Sequence, residues 1–590
     1  MAPRGDIKKE KPKDAKGTLL RILRYLKEYR YILLLILLLC VGSNILALLG
    51  PSLAGKAINE AAAGAGKVNF GRVYHFAGLM LLYYLASSLL NFIINISMMN
   101  MGRSIARKMR NDVFYKLMEL PVGYFDRNQA GDIISRVSYD VDVVSTSLST
   151  DIVQVMTSIV TVLGSFLMML IISPSLVLVT LVTIPLAIIY TKYMGKKTRP
   201  LFSKRSAQYG TMNGFVEEMF SGQKTILAYA RENEVLEDFD KINEGAAQAY
   251  YKADFYSSTM GPSVTAINNL GLALIAMLGS FLYMKEIVTI GQISSFILYS
   301  RKFSGPINEI ANIMNEIYSA LAASERVFRL LDEPEEVRDV DYATVLSDVR
   351  GDVDLKDVSF GYVPDRPVIK NFSLNAEAGG LIAIVGPTGA GKTTINNLLM
   401  RFYDMDQGEC LVDEKEIRTL TRSSLRRAYA MVLQDTWVFG GTIFENIAYG
   451  KEGATLEEVV EVAKAAKIHS YIMRLPHGYD TVISEEGGNI SKGQKQLLTI
   501  ARAMLYDSKM LILDEATSNV DTTTERQIQK AMRKLMADKT CFVIAHRLST
   551  IQNADRILVL DKGNVVEQGK HEELMAKRGF YYKLYASQFE

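Results

Sequence analysis

Three glycines, a lysine and three threonines share nine residues, "GPTGAGKTT", from Gly386 to Thr394. The apolar run "LIAIV" leads into them and "TTINNLLMRFY" leads out with helical patterning. A glycine loop between a buried strand and a helix is built to hold phosphate. Gly386, Pro387, Thr388, Gly389, Ala390 and Gly391 turn the backbone so that N–H groups converge without side-chain obstruction, and the helix start adds positive dipole. Lys392 brings a charge to β and γ phosphates. Thr393 can place its hydroxyl on a magnesium ion, and Thr394 completes the motif.

A second run supplies carboxylates. In "KMLILDEATSNVD" the apolar residues Met510 to Leu513 predict a buried strand that ends in Asp514 and Glu515. Asp514 is placed to hold magnesium through water. Glu515 is placed to polarise an attacking water as general base. "CFVIAHRLST" predicts another buried strand, with His546 at its end, where an imidazole can contact the γ phosphate.

These loops need a rigid α/β frame, and that frame occupies only the second half of the chain. The first half is crowded with apolar runs of the length that an apolar slab of ~30 Å demands. They start at Tyr31, Val73, Asp151, Ser175 and Gly261. A sixth, from Gly291, is the weakest, because it carries Arg301, Lys302 and Glu309. The long connections "MGRSIARKMRNDVFYKLMEL" and "KYMGKKTRPLFSKRSAQ" are rich in Lys and Arg, while the alternate turns "SPS" and "KEIVTIG" are short. The positive-inside rule puts the long connections, the N-terminus and the second half in the cytoplasm. The long connections predict helices extending beyond the bilayer, interrupted around Pro121–Phe125 and Tyr229–Asp240. "GTLLRILRYLKEYR" is basic and amphipathic and is expected along the inner interface. Pro306 is expected to kink or end the outer part of the sixth span. Asn91, Asn95, Asn308, Asn312 and Asn315, with Met98, Met99 and Met101, fit either helix-to-helix packing or a roomy, adaptable cargo cavity.

The acidic stretch "DEPEEVRDVDYATVLSDVRG" lacks apolar periodicity and separates the halves. The expected organisation is a cytoplasmic tail (1–17), an α-helical transmembrane domain of six spans with long cytoplasmic extensions (18–331), a linker (332–351) and an α/β P-loop nucleotide-binding domain (352–590). A net charge of +3 gives no reason to expect nucleic acid. The three cysteines, Cys40, Cys410 and Cys541, are far apart without metal-ligand spacing and are expected as free thiols.

The order "GPTGAGKTT", "MVLQD", "ISKGQ", "LILDEATSNVD", "AHRLS" resembles the ATP-binding cassette family, and with six spans in front the chain resembles an exporter half-transporter. The stretch "YFDRNQAGDIISRVSYDVD" is similar to the first intracellular loop of those exporters. The resemblance implies ATP and Mg2+ as cofactors and a lipid bilayer around the first half. It implies that Tyr362 stacks on adenine and that Gln434 sits between magnesium, nucleotide and membrane domain. Glu485 would touch the intracellular loops, and Asp521 would line the contact between two cassettes. Ser491 and Gly493, with Gln494 beside them, would cap the γ phosphate of ATP held by a second cassette. One chain has one cassette, so the working unit would be a dimer alternating between inward- and outward-facing states.

The family's signature is LSGGQ, whereas this chain has "ISKGQ", Ile490 to Gln494, with Lys492 in place of a glycine. That departure fits an ordinary homodimer. It also resembles the catalytic-glutamate subunit of bacterial heterodimeric multidrug exporters, whose partner keeps LSGGQ. The implied cargo is an amphipathic small molecule of drug or lipid type, leaving the bacterial cytoplasm through its membrane. A lipid flippase, a peptide exporter and an ATPase sensor subunit stay open as alternatives.

Overall fold

A computed structural model describes residues 14–64, 66–434, 436–484, 489–514, 521–545 and 548–589, without the side chains of 308–312, 548–549 and 588–589. The chain forms two compact units, Met1–Leu120 with Asn128–Glu335, and Pro121–Arg127 with Glu336–Glu590.

The first unit is helical. It comprises α1 (Ala15–Lys27), α2 (Arg30–Ala61) and α3 (Phe70–Glu119), while α4 (Val122–Arg127) belongs to the second unit. Next come α5 (Ala130–Ser135), α6 (Val141–Thr146) and α7 (Ile152–Ile172), joined by π turns at Arg136–Asp140 and Ser147–Asp151. The unit closes with α8 (Pro174–Ser221), α9 (Gln223–Ala228), α10 (Glu232–Met284) and α11 (Ile290–Leu331). With 48 and 53 residues, α8 and α10 reach roughly 72 and 80 Å at 1.5 Å per residue, far beyond a bilayer core.

Among the described residues, five helical stretches are long and apolar enough to cross a membrane: Arg30–Ala61, Phe70–Glu119, Ala130–Ile172, Pro174–Ser221 and Glu232–Met284. The expected sixth, α11, is a helix that falls short of that composition, because Arg301 and Lys302 interrupt its apolar run. Two local expectations need correction. Of the kink or end expected at Pro306, the end is excluded, because α11 continues through Pro306 to Leu331. The missing N–H removes one intrahelical bond, and packed neighbours can carry that loss in a membrane helix. The interruption expected over Tyr229–Asp240 is much shorter. Gly222 and Tyr229–Arg231 flank α9, and α10 already starts at Glu232. Ala230 turns the chain at a φ of 52°, and Glu232 and Glu234 favour the new helix start. Met98 and Met101 are buried, so those two methionines pack between helices, whereas Asn95 and Asn315 are exposed.

The buried carboxylate of Asp140, in the first π turn, takes a two-pronged ion pair from Arg326 of α11, at 2.9 Å to Nε and 2.5 Å to Nη2. A charge this buried persists only when paired in good geometry.

The second unit is built on two sheets. Strands β1 (Val353–Phe360), β2 (Ile369–Ala376), β4 (Gln407–Val412) and β5 (Lys415–Glu416) form an antiparallel sheet in the order β2-β1-β4-β5. The larger sheet holds β3 (Leu381–Val385), β6 (Tyr429–Val432), β9 (Met510–Asp514), β10 (Thr540–Ile544), β11 (Arg556–Asp561) and β12 (Asn564–Gly569). Its order is β12-β11-β3-β10-β9-β6, parallel except for the edge strand β12. A small ribbon pairs β7 (Gly441–Thr442) with β8 (Val482–Ile483).

Alternation along the parallel strands divides the core. Ala383, Val385, Leu511, Leu513, Cys541 and Val543 face one helical layer with Leu497 and Ile528. Ile382, Ile384, Met510, Ile512 and Phe542 face the antiparallel sheet with Leu355 and Phe372. Burial on both faces explains why these strands read as unbroken apolar runs. The three cysteines are buried and free, and burial pushes the Cys410 and Cys541 thiols up to about 12, which keeps them protonated and unreactive. Within this unit the acidic stretch is tied down by arginines: Asp339 meets Arg422 at 3.0 Å, and Glu336 pairs with Arg426.

Candidate nucleotide site

The carboxyl ends of β3, β6, β9 and β10 lie together, and the residues that follow them face a cavity of about 470 Å3. Its lining includes Thr388, Gly389, Gly391, Lys392, Thr393, Thr394, Gln434 and Asp514. Open parallel sheets bind ligands at this end because loops and helix starts converge there.

The phosphate loop follows β3 and opens α12 (Lys392–Leu399). Its glycines are there for stated reasons. Gly386 has a φ of 155°, and a Cβ on it would come within 2.3 Å of the Leu560 carbonyl oxygen. Gly391 caps α12 at a φ of 102°, in the left-handed region that favours glycine. No side chain caps α12; the Thr394 N–H bonds the Gly391 carbonyl at 3.1 Å, and Lys392 and Thr393 of the same turn line the cavity. Pro387 and Ala390 do not line the cavity but shape the loop, through an Ala390 N–H bond to the Pro387 carbonyl at 3.2 Å.

Lys392 Nζ donates to the carbonyls of Gly386 and Pro387 at 2.8 and 3.0 Å. The loop thus holds its own lysine over the space it encloses. Burial lowers the lysine's pKa, while the nearby Asp514 charge opposes that shift. An incoming phosphate would reinforce the charged form, so the site is electrostatically set for an anion.

Thr393, Asp514 and Gln434 bring a hydroxyl, a carboxylate and an amide oxygen to the same cavity. An all-oxygen set suits a hard cation such as Mg2+. Among the described residues no three His, Cys, Asp or Glu cluster as metal ligands, so such an ion would take most of its ligands from phosphate and water.

Tyr362 follows β1 and stands beside the loop. Its hydroxyl donates to Thr394 Oγ1 at 3.2 Å and accepts from Asn397 Nδ2 at 3.1 Å. Edge-on contacts with Phe360 and Tyr403, each with centroids 5.0 Å apart, fix a ring that remains 44% exposed. An aromatic face held this way can take a flat base. Val368 and Ile544, which sequence reasoning missed, complete the apolar wall. Asn397 was missed as well, although it lies three residues beyond Thr394 on one helix face.

Ser491, Gly493 and Gln494 are not among the residues lining this cavity. They open the helix Lys492–Tyr506 through a reciprocal cap. Ser491 Oγ accepts from the Gln494 N–H at 3.3 Å, and Gln494 Oε1 accepts from the Ser491 N–H at 2.9 Å. Gly493 is buried and Lys492 is exposed in the first turn. Asp521 caps the helix Thr522–Met536, accepting from the Thr524 N–H at 2.9 Å, which holds its carboxyl below the usual range. Glu515, His546 and Glu485 lie outside the described residues. In the chain, Glu515 directly follows Asp514 and His546 directly follows Ala545.

Comparison with known proteins gives the same two-part division. Residues 33–307 match the family described as the ABC transporter transmembrane region, and residues 369–518 match the family described as ABC transporter. The chain is 44% identical, over 99% of its length and 96% of the relative's, to the uncharacterized ABC transporter ATP-binding protein YfiC of Bacillus subtilis (strain 168). It is also 44% identical to the fatty acid ABC transporter ATP-binding/permease protein of Mycobacterium bovis, over 88% of this chain and 82% of that one. Among solved structures it resembles a bacterial Atm1-family ABC exporter with ATP bound, with a TM-score of 0.74 and 29% identity over 96% of this chain and 99% of the other.

Proposed function

The chain belongs to the ABC transporter family, a multi-pass membrane domain fused to a cytoplasmic ATP-hydrolysing cassette, and we propose that it exports lipid-like amphiphiles. ATP drives transport across the membrane in this family, and the finer reading concerns the cargo, the metal and the partner. The observation that carries the ATP-driven reading is the meeting of Lys392, Thr393, Gln434 and Asp514 in one cavity at the sheet's carboxyl edge.

In this reading Gly386 to Thr394 bind the ATP phosphates and Tyr362 holds the adenine. Thr393, Asp514 and Gln434 hold Mg2+, which when bound neutralises phosphate charge. Glu515 orients and deprotonates the attacking water, and His546 contacts the γ phosphate. The helix α11 serves as the sixth span, and the boundaries 1–17, 18–331, 332–351 and 352–590 mark tail, membrane domain, linker and cassette. The working unit is a dimer in which Ser491, Gly493 and Gln494 meet the ATP of the second cassette. Lys492, exposed in the first turn of its helix, supports a partner of different sequence that keeps LSGGQ. This chain then supplies the catalytic glutamate.

Lipid-like cargo rests on the similarity to a protein named as a fatty acid transporter. Drug-like amphiphiles are the second reading, supported by the buried Met98 and Met101, whose flexible side chains suit an adaptable helix packing. The test is reconstitution in vesicles with labelled fatty acid and a labelled drug-like dye. ATP-dependent movement of the fatty acid, lost in Lys392→Ala, is the expected result. ATP turnover with no movement of either cargo would contradict export.

A further inference from the structure

The helix α1 carries four cations, Lys16, Arg21, Arg24 and Lys27, and no acid. Only Glu28 and Tyr29 separate it from α2, the first membrane-crossing stretch, so it lies at the level where the apolar slab begins. It touches the end of α11, which leads into the cytoplasmic cassette, and this puts it on the inner leaflet.

Its two faces differ. On one, Thr18, Ile22 and Leu26 are buried, and beside them Tyr25 stacks on Phe328 of α11 with ring centroids 6.2 Å apart. Tyr25 Oη donates to the Asp112 carboxylate of α3 at 2.7 Å. The Arg21 guanidinium lies 4.4 Å from the centre of the Phe328 ring and donates to Asp332, the cap of α11, at 2.5 Å. One short helix thus grips α3 and the last turn of α11 together.

The opposite face exposes Leu19, Leu20 and Leu23, with Lys16, Arg24 and Lys27 among them. Among the described residues none of these three cations has a hydrogen bond or an ion pair. A helix this short is marginal in water, and exposed leucines favour leaving water. The headgroup layer suits the whole face: leucines enter the acyl boundary, and the long basic side chains reach up to the phosphates. A neutral surface would satisfy only the leucines. Three unpaired cations with no acid beside them match a surface of net negative charge.

The grip on α11 is weak by itself. The Arg21–Asp332 pair is partly exposed on both sides, and exposed ion pairs hold little. Anionic headgroups would offset the mutual repulsion of the cations and hold the helix in its seat.

We propose that the outer face of α1 binds anionic lipid headgroups of the inner leaflet, and that this binding keeps the cytoplasmic end of α11 seated, so that ATP turnover depends on the charge of the surrounding lipid. The lipid here is the transporter's solvent and not its cargo, so the inference holds whichever cargo is moved.

The experiment uses the full transporter with its partner subunit in two kinds of vesicle, phosphatidylcholine alone and phosphatidylcholine mixed equally with phosphatidylglycerol. A donor dye is placed on Leu20→Cys, since Cys40, Cys410 and Cys541 are buried. Energy transfer to an acceptor on one lipid or the other measures enrichment in the mixed vesicles, and ATP turnover is read in parallel. Phosphatidylglycerol should be enriched beside α1 by about fivefold or more, the effect of one cation near a charged surface, and turnover should be severalfold faster in the mixed vesicles. The triple variant Lys16→Gln, Arg24→Gln and Lys27→Gln should bring both ratios near one and leave turnover in phosphatidylcholine unchanged. Arg21→Gln should keep most of the enrichment and lose the acceleration, because it breaks only the grip on Asp332. Equal transfer to both lipids in the wild type overturns the inference. Acceleration that survives the triple variant overturns it too, since phosphatidylglycerol would then act elsewhere, as cargo included. Enrichment with equal turnover in the two vesicles, or acceleration that survives Arg21→Gln, overturns the link to α11. Should the triple variant fail to assemble, the wild-type ratios and Arg21→Gln still decide.

Discussion

The two helices that open on predicted phosphate sites begin in opposite ways. At Gly391 the chain enters α12 with no side-chain cap, and the loop spends Lys392 on its own carbonyls at Gly386 and Pro387. At Ser491 the chain enters Lys492–Tyr506 through a complete capping box with Gln494. The first start has no side-chain cap and borders the space for an anion. The second satisfies its own backbone and presents Lys492 to solvent. On the dimer reading proposed above, the self-sufficient start would meet a nucleotide that another cassette holds, whereas the uncapped start would be completed by its own ligand.

The largest expected effect that would break this contrast is at Lys392. Lys392→Ala should weaken ATP binding by about a hundredfold or more, because a charge-assisted phosphate contact is lost. Equilibrium binding of a fluorescent ATP analogue measures it, and near-normal affinity would deny the loop its role. Gly386→Ala comes next. A Cβ driven towards the Leu560 carbonyl should cost about 2–4 kcal/mol of cassette stability, read as a lowered unfolding midpoint.

At the other start the effects shrink. Ser491→Ala removes a cap and should cost about 1 kcal/mol in thermal unfolding, while the chain's own ATP affinity holds. A large fall in that affinity would mean the two starts are not distinct. Lys492→Ala should be the mildest. It removes a cation from a helix N-terminus and should stabilise by about 0.3–1 kcal/mol. In a complex whose partner lacks the glutamate, turnover should barely change. A several-fold rise would favour a homodimer.

Legibility followed the chemistry. The loop Gly386–Thr394 and Asp514 could be located from sequence because buried parallel strands are short apolar runs that end where function begins. Gln434 needed the family resemblance, since an exposed glutamine after a short strand has no pattern of its own. Val368 and Ile544 were invisible because they reach the cavity through tertiary packing, and Asn397 because it acts through the Tyr362 hydroxyl. In the membrane domain hydropathy revealed the helices but could not tell whether Pro306 ends one, because that depends on neighbours rather than on its own ring. The hydrogen bond from Lys302 to the Ala47 carbonyl, freed by Pro51, joins residues 255 positions apart, and no local pattern could show it.

The central claim is that ATP cleaved beside Asp514 drives cargo through the membrane domain. Its most direct test is Glu515→Gln in the reconstituted transporter, with ATP binding, ATP turnover and cargo movement followed together. The account predicts near-normal ATP binding with turnover and movement both abolished. Continued fast hydrolysis in that variant would contradict it.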